Sequence, residues 1–183
     1  MIISLSGMPG SGKSSVAKVL EKRLGMKRYY MGALRRKMAL DCGIDIHELN
    51  RRGESDPESD REVDEFQAEL GKNEDDFIIE GRTSFHFIPK SIKIFLDCDL
   101  SVGAKRIFEE KRGSDESYSS IKEAEEGLKK RIESDKKRYK KYYGIDCYER
   151  KNYDLVIDTT TISIEQAADR IIDYIKDHKG RKQ

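Results

Sequence analysis

The sequence predicts an α/β fold, a parallel sheet covered by helices on both faces, and three observations predict it. Short apolar runs recur at lengths suited to buried strands. The stretches between them repeat apolar residues at helical spacing, and a glycine-rich loop joins the first run to the first helical pattern.

Taken in order, the strand candidates are Ile2–Ser6, Phe77–Ile79, Ile92–Leu96 and Leu155–Ile157, with residues 26–31 added on the strength of Tyr29 and Tyr30. After the glycine loop, Val16, Val19, Leu20 and Leu24 share a helical face, and Gly25 stands where a helix stop is expected. Asp56-Pro57 reads as a helix start, Asp as cap and Pro at the first helical position. A long helix is predicted from about Ser117 to Tyr143. On it Arg131, Asp135, Arg138 and Tyr142 form one stripe, and Ile121, Leu128, Ile132 and Tyr139 an adjacent apolar one. Ser163 and Gln166 form a capping-box pattern ahead of Ile164, Ala167, Ala168, Ile171, Ile172 and Ile175, the apolar face of a last helix. The basic tail from Lys179 to Gln183 is expected to fray.

At 183 residues the chain has the length of one domain. It carries 36 Lys and Arg against 35 Asp and Glu, a balance that argues against bulk nucleic-acid binding. Cys42, Cys98 and Cys147 lie far apart without a CxxC, which reads as reduced thiols rather than a disulfide framework or zinc site. No apolar run approaches the roughly 18 residues of a membrane span, and the first residues lack the basic start of a signal peptide. A soluble cytoplasmic protein is expected.

Gly7-Met8-Pro9-Gly10-Ser11-Gly12-Lys13-Ser14 fits the phosphate-loop pattern in its required setting, after a strand and opening a helix. Each position has a physical task. Gly7, Gly10 and Gly12 permit the turns that aim backbone N–H groups at phosphate oxygens, with Ser11 and Ser15 completing the cradle. The helix start adds unpaired N–H groups and a positive dipole end. Lys13 is expected on the β- and γ-phosphates of ATP and Ser14 on Mg²⁺. An acid ending a neighbouring strand is needed to help hold the ion. Glu80 is the first candidate and Asp97 its competitor.

Phosphoryl transfer also needs fixed positive charge. Arg82 directly follows Glu80-Gly81, where glycine permits close approach. The Arg131–Asp135–Arg138 stripe reads either as a second source of charge or as a surface ion-pair ladder. His47, His86 and His178 are isolated and read as surface or loop residues. Tyr139, Tyr142 and Tyr143 read as packing residues.

Together these segments resemble the nucleoside monophosphate kinases, P-loop kinases, and among them the short cytidylate kinases of archaeal type. The resemblance rests on the phosphate loop, residues 31–36, Glu80-Gly81-Arg82, Ala104-Lys105-Arg106, Arg131-x3-Asp135-x2-Arg138, and the stretches 60–64, 137–146 and 153–159. It implies a three-layer α/β/α core with a five-stranded parallel sheet. It further implies a helical monophosphate-binding arm near residues 33–72 and a lid near 106–135. By the same resemblance Arg36, Arg82 and Arg131 hold the monophosphate, Asp135 meets the ribose, and Arg131, Arg138 and Arg106 neutralise developing charge. Arg106, and after it Arg112, could instead stack on adenine. Lys13, Met31 and Glu80 depart from residues common at these positions in the family.

The implied activity is phosphorylation of a small-molecule nucleotide, CMP first and dCMP, UMP or AMP after it, by a monomer without nucleic-acid or membrane partners. A small hydroxyl acceptor, or an ATP-hydrolysing switch or assembly factor, is the alternative reading of the loop.

Overall fold

The computed structural model describes residues 1–56, 58–110 and 118–180. Five strands form one parallel sheet: β1 (Ile2–Gly7), β2 (Lys27–Tyr30), β3 (Phe77–Glu80), β4 (Ile92–Asp97) and β5 (Leu155–Asp158), in the order β2-β3-β1-β4-β5. The expected strands are all present, each within one or two residues of its predicted ends. The helices are α1 (Lys13–Leu24), α2 (Met31–Asp41), α3 (Ile46–Ser55), α4 (Glu58–Asn73), α5 (Ser84–Phe87), α6 (Leu100–Glu109), α7 (Ile121–Tyr143) and α8 (Ile164–Gly180).

The two-residue alternation of the strands divides the core. Ile3, Leu5, Ile78, Ile94, Leu96 and Ile157 pack against Val16, Ala17 and Leu20 of α1 and the Ala167–Ile175 face of α8. On the other face, Ile2, Phe77 and Ile79 meet Met31, Val63 and Leu70 from α2 and α4. Phe95 meets Phe85, Tyr139, Tyr148 and Tyr153 there. A sheet apolar on both faces must be covered twice, which is the three-layer arrangement.

The local signals hold at α1 and α8. Gly25 ends α1 in the left-handed region at φ 65°. Ser163 N–H donates to Gln166 Oε1 at 2.9 Å and Gln166 N–H to Ser163 Oγ at 3.1 Å, a reciprocal capping box. Some expectations are corrected, and others lie outside the described residues. The helix predicted from Ser117 is described from Ile121, because the Ser120 side chain caps it by accepting from the Glu123 N–H; Ser117 and Arg112 lie outside the described residues. Ile121, at the open first turn of α7, is 40% exposed and does not join the buried stripe. Asp56 accepts from the Glu58 N–H at 3.0 Å as a cap would, and Pro57 lies outside the described residues. So do residues 181–183 of the tail.

Among the described residues no helix is long and apolar enough to cross a membrane, and no group of His, Cys, Asp and Glu is placed to hold a metal by itself.

Candidate active site

The site begins at the end of β1. Gly7, Gly10 and Gly12 take φ of 150°, 74° and 80°, values that favour glycine. At Gly10 there is a second constraint, since a Cβ would lie 2.3 Å from the Gly103 carbonyl oxygen. The loop therefore presses backbone to backbone on the start of α6. Gly12 leads directly into α1, whose first residues are Lys13 and Ser14. Lys13 Nζ donates to the Gly7 and Met8 carbonyls, both at 3.2 Å, so the ammonium lies over the loop it is expected to serve. Ser11 Oγ is buried without a hydrogen-bond partner. An orphaned hydroxyl inside a glycine nest suits a phosphate oxygen.

The loop floors an open cleft. Lys13, Ser14, Gly10 and Gly12 line it from below, and Glu80, Gly81, Arg82 and Thr83 line it from the end of β3. Helix α7 contributes Arg131, Asp135, Arg138 and Tyr139. The wall supplied by α2, α3 and α4 includes Arg35, Arg36, Asn50, Asp60, Asp64 and Gln67. The predicted residues Lys13, Ser14, Arg36, Glu80, Arg82, Arg131, Asp135 and Arg138 thus meet in one cavity.

Ser11, Gly12, Ser15 and Arg106 line a second depression with Thr159, Ile162, Ser163 and Ala167, on the α8 side of the loop. Arg106 donates to the Gly10 carbonyl at 3.3 Å and to the Thr159 carbonyl at 2.8 Å. Thr159 Oγ1 donates to the Ser11 carbonyl at 3.1 Å. Arg106 and Thr159 therefore tie the loop after β5 to the phosphate loop.

The two candidate acids part company here. Glu80 is 1% exposed; one oxygen accepts from Arg28 at 2.5 Å, and Oε2 is buried without a hydrogen-bond partner. Asp97 does not line the cleft and accepts from Arg150 at 2.8 Å. An orphaned buried carboxylate oxygen on a residue that lines the same cleft as Ser14 fits a magnesium site; Asp97 offers no such atom.

The arginines are held by a network that sequence spacing does not reveal. Arg82 pairs with Asp135 through Nε and reaches the Gly7 carbonyl at 3.4 Å. Asp135 also accepts from Arg138 at 3.0 Å and from the Tyr148 hydroxyl at 2.8 Å. Arg138 lies 3.1 Å from Asp60, and Asp60 pairs with Arg35. Arg35, Asp60, Arg138, Asp135 and Arg82 thus alternate in sign along one buried chain from α2 to the end of β3.

This corrects the reading of the α7 stripe. Arg138, at 1% exposure, is not presented to solvent, and the stripe is no surface ladder. Burial alone would raise the Asp135 carboxyl, but Arg82, Arg138 and Arg131, with the Tyr148 hydroxyl, hold it below the ordinary carboxylate range. Arg131 remains half-buried on the cleft wall. Arg36 donates to the Tyr30 hydroxyl at 2.9 Å and to the Gly32 carbonyl at 3.2 Å.

Sequence reading missed Arg28, Arg35, Asn50, Asp60, Asp64 and Gln67. Asp60 and Asp64 left two signals: they sit in the stretch 60–64 that carries part of the resemblance, and as i, i+4 neighbours they face the same way on α4.

A parallel sheet in this order, with a phosphate loop after β1, an acid after β3 and converging arginines, defines a P-loop kinase. Its fold matches shikimate kinase from Acinetobacter baumannii at TM-score 0.63 and 16% identity, with 97% of this chain and 94% of that one covered. The model of the cytidylate kinase-like family matches residues 2–161. The chain is 39% identical to a cytidylate kinase of Methanothrix thermoacetophila, covering 94% of this chain and 99% of that one. It is also 39% identical to a cytidylate kinase of Sulfolobus acidocaldarius, covering 96% and 94%. The chain belongs to the cytidylate kinase-like family.

Proposed function

We propose that this protein transfers the γ-phosphoryl group of ATP to a nucleoside monophosphate, with CMP the preferred acceptor and dCMP a second. The observation that carries the reading is the shared cleft, in which Arg36, Arg82 and Arg131 line the same space as the phosphate loop. Three guanidinium groups suit an acceptor that carries a phosphate, and serve a neutral hydroxyl acceptor poorly. The names of the curated relatives support cytidylate in particular.

In this reading ATP lies on the loop with Lys13 along its β- and γ-phosphates, and its adenine lies toward the depression lined by Arg106 and Thr159. Ser14 and Glu80 would hold Mg²⁺, which would supply positive charge to the phosphates of ATP. The monophosphate enters from the other side, its phosphate on Arg36, Arg82 and Arg131 and its ribose toward Asp135. An acceptor phosphate oxygen attacks the γ-phosphorus in line; the bond to the β-bridging oxygen breaks, leaving ADP and a nucleoside diphosphate. No general base is required, because a phosphate monoester is already ionised near neutral pH. Arg82 and Arg131 neutralise the charge that spreads over the transferred group, and Arg138 holds Asp135 in place for both. Residues 33–72 act as the monophosphate arm and 106–135 as the lid, whose closure excludes water. The enzyme works as a cytoplasmic monomer on small nucleotides.

The test is ADP formation from ATP and Mg²⁺ with CMP, dCMP, UMP, AMP or GMP, beside a tube without acceptor. A rate far higher with CMP supports both the reaction and the base. Equal slow ADP release in every tube refutes the kinase reading in favour of acceptor-independent hydrolysis.

A further inference from the structure

The segment Asp60-Arg61-Glu62-Val63-Asp64 has so far supplied one member of the charge chain, yet it places more than that on the cleft. On α4, Asp60, Val63, Asp64 and Gln67 stand at i, i+3, i+4 and i+7, are all buried, and all line the cleft. A carboxylate in such a wall is either neutralised by a cation or available to a ligand. Glu80 bonds Arg28, Asp60 pairs with Arg35 and Arg138, and Asp135 pairs with Arg82 and Arg138.

Asp64 differs from these. Its hydrogen bonds come from neutral donors: the Tyr143 hydroxyl on Oδ2, and the Gln67 amide at a long 3.4 Å on Oδ1. Among the described residues it forms no ion pair. Gln67 in turn donates to Thr83 Oγ1 at 3.2 Å, one residue beyond Arg82, and its own oxygen accepts from Ser84 at 2.6 Å. Hydrogen bonds thus link Thr83, the residue after the arginine proposed for the phosphate, through Gln67 to an anionic acceptor on the arm wall.

Cytosine and uracil differ at this kind of contact. Cytosine carries an exocyclic amino group, a donor, where uracil carries a carbonyl, an acceptor. A carboxylate pairs with the first and repels the second, so one residue supplies both attraction and rejection.

We infer that Asp64 selects the base, accepting a hydrogen bond from the 4-amino group of cytosine, with Tyr143 and Gln67 as positioning residues. This rests on the monophosphate kinase reading and deepens it by naming a specificity residue. Burial, aided by the neighbouring Asp60 and opposed by the Tyr143 hydroxyl, Arg35 and Arg138, pushes the Asp64 carboxyl up to about 6. Near neutral pH it is still chiefly an anion, and an acceptor.

The experiment measures the dissociation constants of CMP and UMP by titration calorimetry, without ATP, for the full chain and for Asp64→Asn, Tyr143→Phe and Glu62→Gln. Acceptor-dependent ADP formation is measured in parallel. Asp64→Asn is expected to lower the CMP-over-UMP affinity ratio by roughly 10- to 100-fold, because the amide can turn a donor toward uracil. Tyr143→Phe, which loosens the carboxylate without removing it, is expected to lower the ratio by roughly three- to tenfold. Glu62→Gln, on the exposed side of the same helix, leaves it unchanged.

A folded Asp64→Asn protein whose ratio stays within about twofold of wild type overturns the assignment while leaving the kinase reading intact. If that variant fails to fold, an unchanged ratio in Tyr143→Phe overturns it. Wild-type ADP release that ignores every acceptor removes the kinase reading, and this assignment with it.

Discussion

Replacing Asp135 by Asn probes the buried charge chain. The side chain is 4% exposed and accepts from Arg82, from Arg138 at 3.0 Å and from Tyr148 at 2.8 Å. Asparagine keeps the shape and one acceptor oxygen but removes the charge that balances two buried guanidinium groups. Breaking a buried pair costs about 3–5 kcal/mol, and the retained oxygen places this variant near the lower end, about 3 kcal/mol. For a chain of this length that corresponds to a fall in Tm of roughly 6–12 °C. Thermal melting followed by circular dichroism at neutral pH, without nucleotide, reads it directly. The pH dependence gives a second check. Asp135 titrates lower in the fold than its ordinary value of 3.8, so its stabilisation is present above that value and is lost as pH falls through the lower, folded value. The gap between wild type and variant should therefore hold steady down to about pH 5 and close below about pH 4. A variant melting within about 2 °C of wild type at neutral pH would refute the network as a source of stability.

Three further outcomes are expected. Lys13→Ala should lower kcat by at least roughly 100-fold with the melting curve retained, as followed by coupled ADP release; a near-normal rate removes Lys13 from the reaction. Glu80→Gln should raise the Mg²⁺ concentration needed for half-maximal rate by roughly tenfold or more, and weaken Mg²⁺-dependent ADP binding in calorimetry; an unchanged metal dependence removes Glu80 from the ion. In the wild type, the CMP-over-UMP preference should decline as pH is lowered from about 7.5 to about 5.5, because protonation turns Asp64 from acceptor to donor. Asp60, Arg35, Arg138 and Tyr143 face Asp64 from α4, α2 and α7, so the same profile in Asp64→Asn is the control, and it should be flat.

Much of the fold was legible because its signals are local. The apolar runs of β1, β3 and β4, the glycine that stops α1 and the reciprocal Ser163–Gln166 cap are each written within a few residues. The phosphate loop was legible for the same reason, since strand, glycines, lysine and helix start are contiguous. The charge chain was not. Arg35 and Asp60 are 25 positions apart and Arg82 and Asp135 are 53 apart, so no periodicity links them. Arg131, Asp135 and Arg138 could be placed on one stripe of α7, but the stripe's burial depends on α3, α4 and β3 folding over it. Glu80 could be picked by position, whereas the pairing of one of its oxygens with Arg28 on β2 needed the sheet. Asp64 carried the faintest trace, a place in the stretch 60–64 and a spacing of four from Asp60, and that it forms no ion pair among the described residues emerges only in three dimensions.

The alternating chain also divides unevenly between parts of the molecule. Arg35 and Asp60 belong to the helices of the proposed arm and cancel each other, while Arg138, Asp135 and Arg82 belong to α7 and β3 and together carry one surplus positive charge. The seam between the two groups is the 3.1 Å approach of Arg138 to Asp60, beside which Arg138 donates to Asn50 Oδ1 at 3.3 Å and Lys137 pairs with Glu54 at 2.9 Å. Were the arm to swing outward, that seam would part and leave the buried Arg35–Asp60 pair intact on the moving side. The surplus would be left with α7 and the end of β3, among the arginines assigned to the acceptor phosphate, so that an open cleft would draw an anion more strongly than a closed empty one.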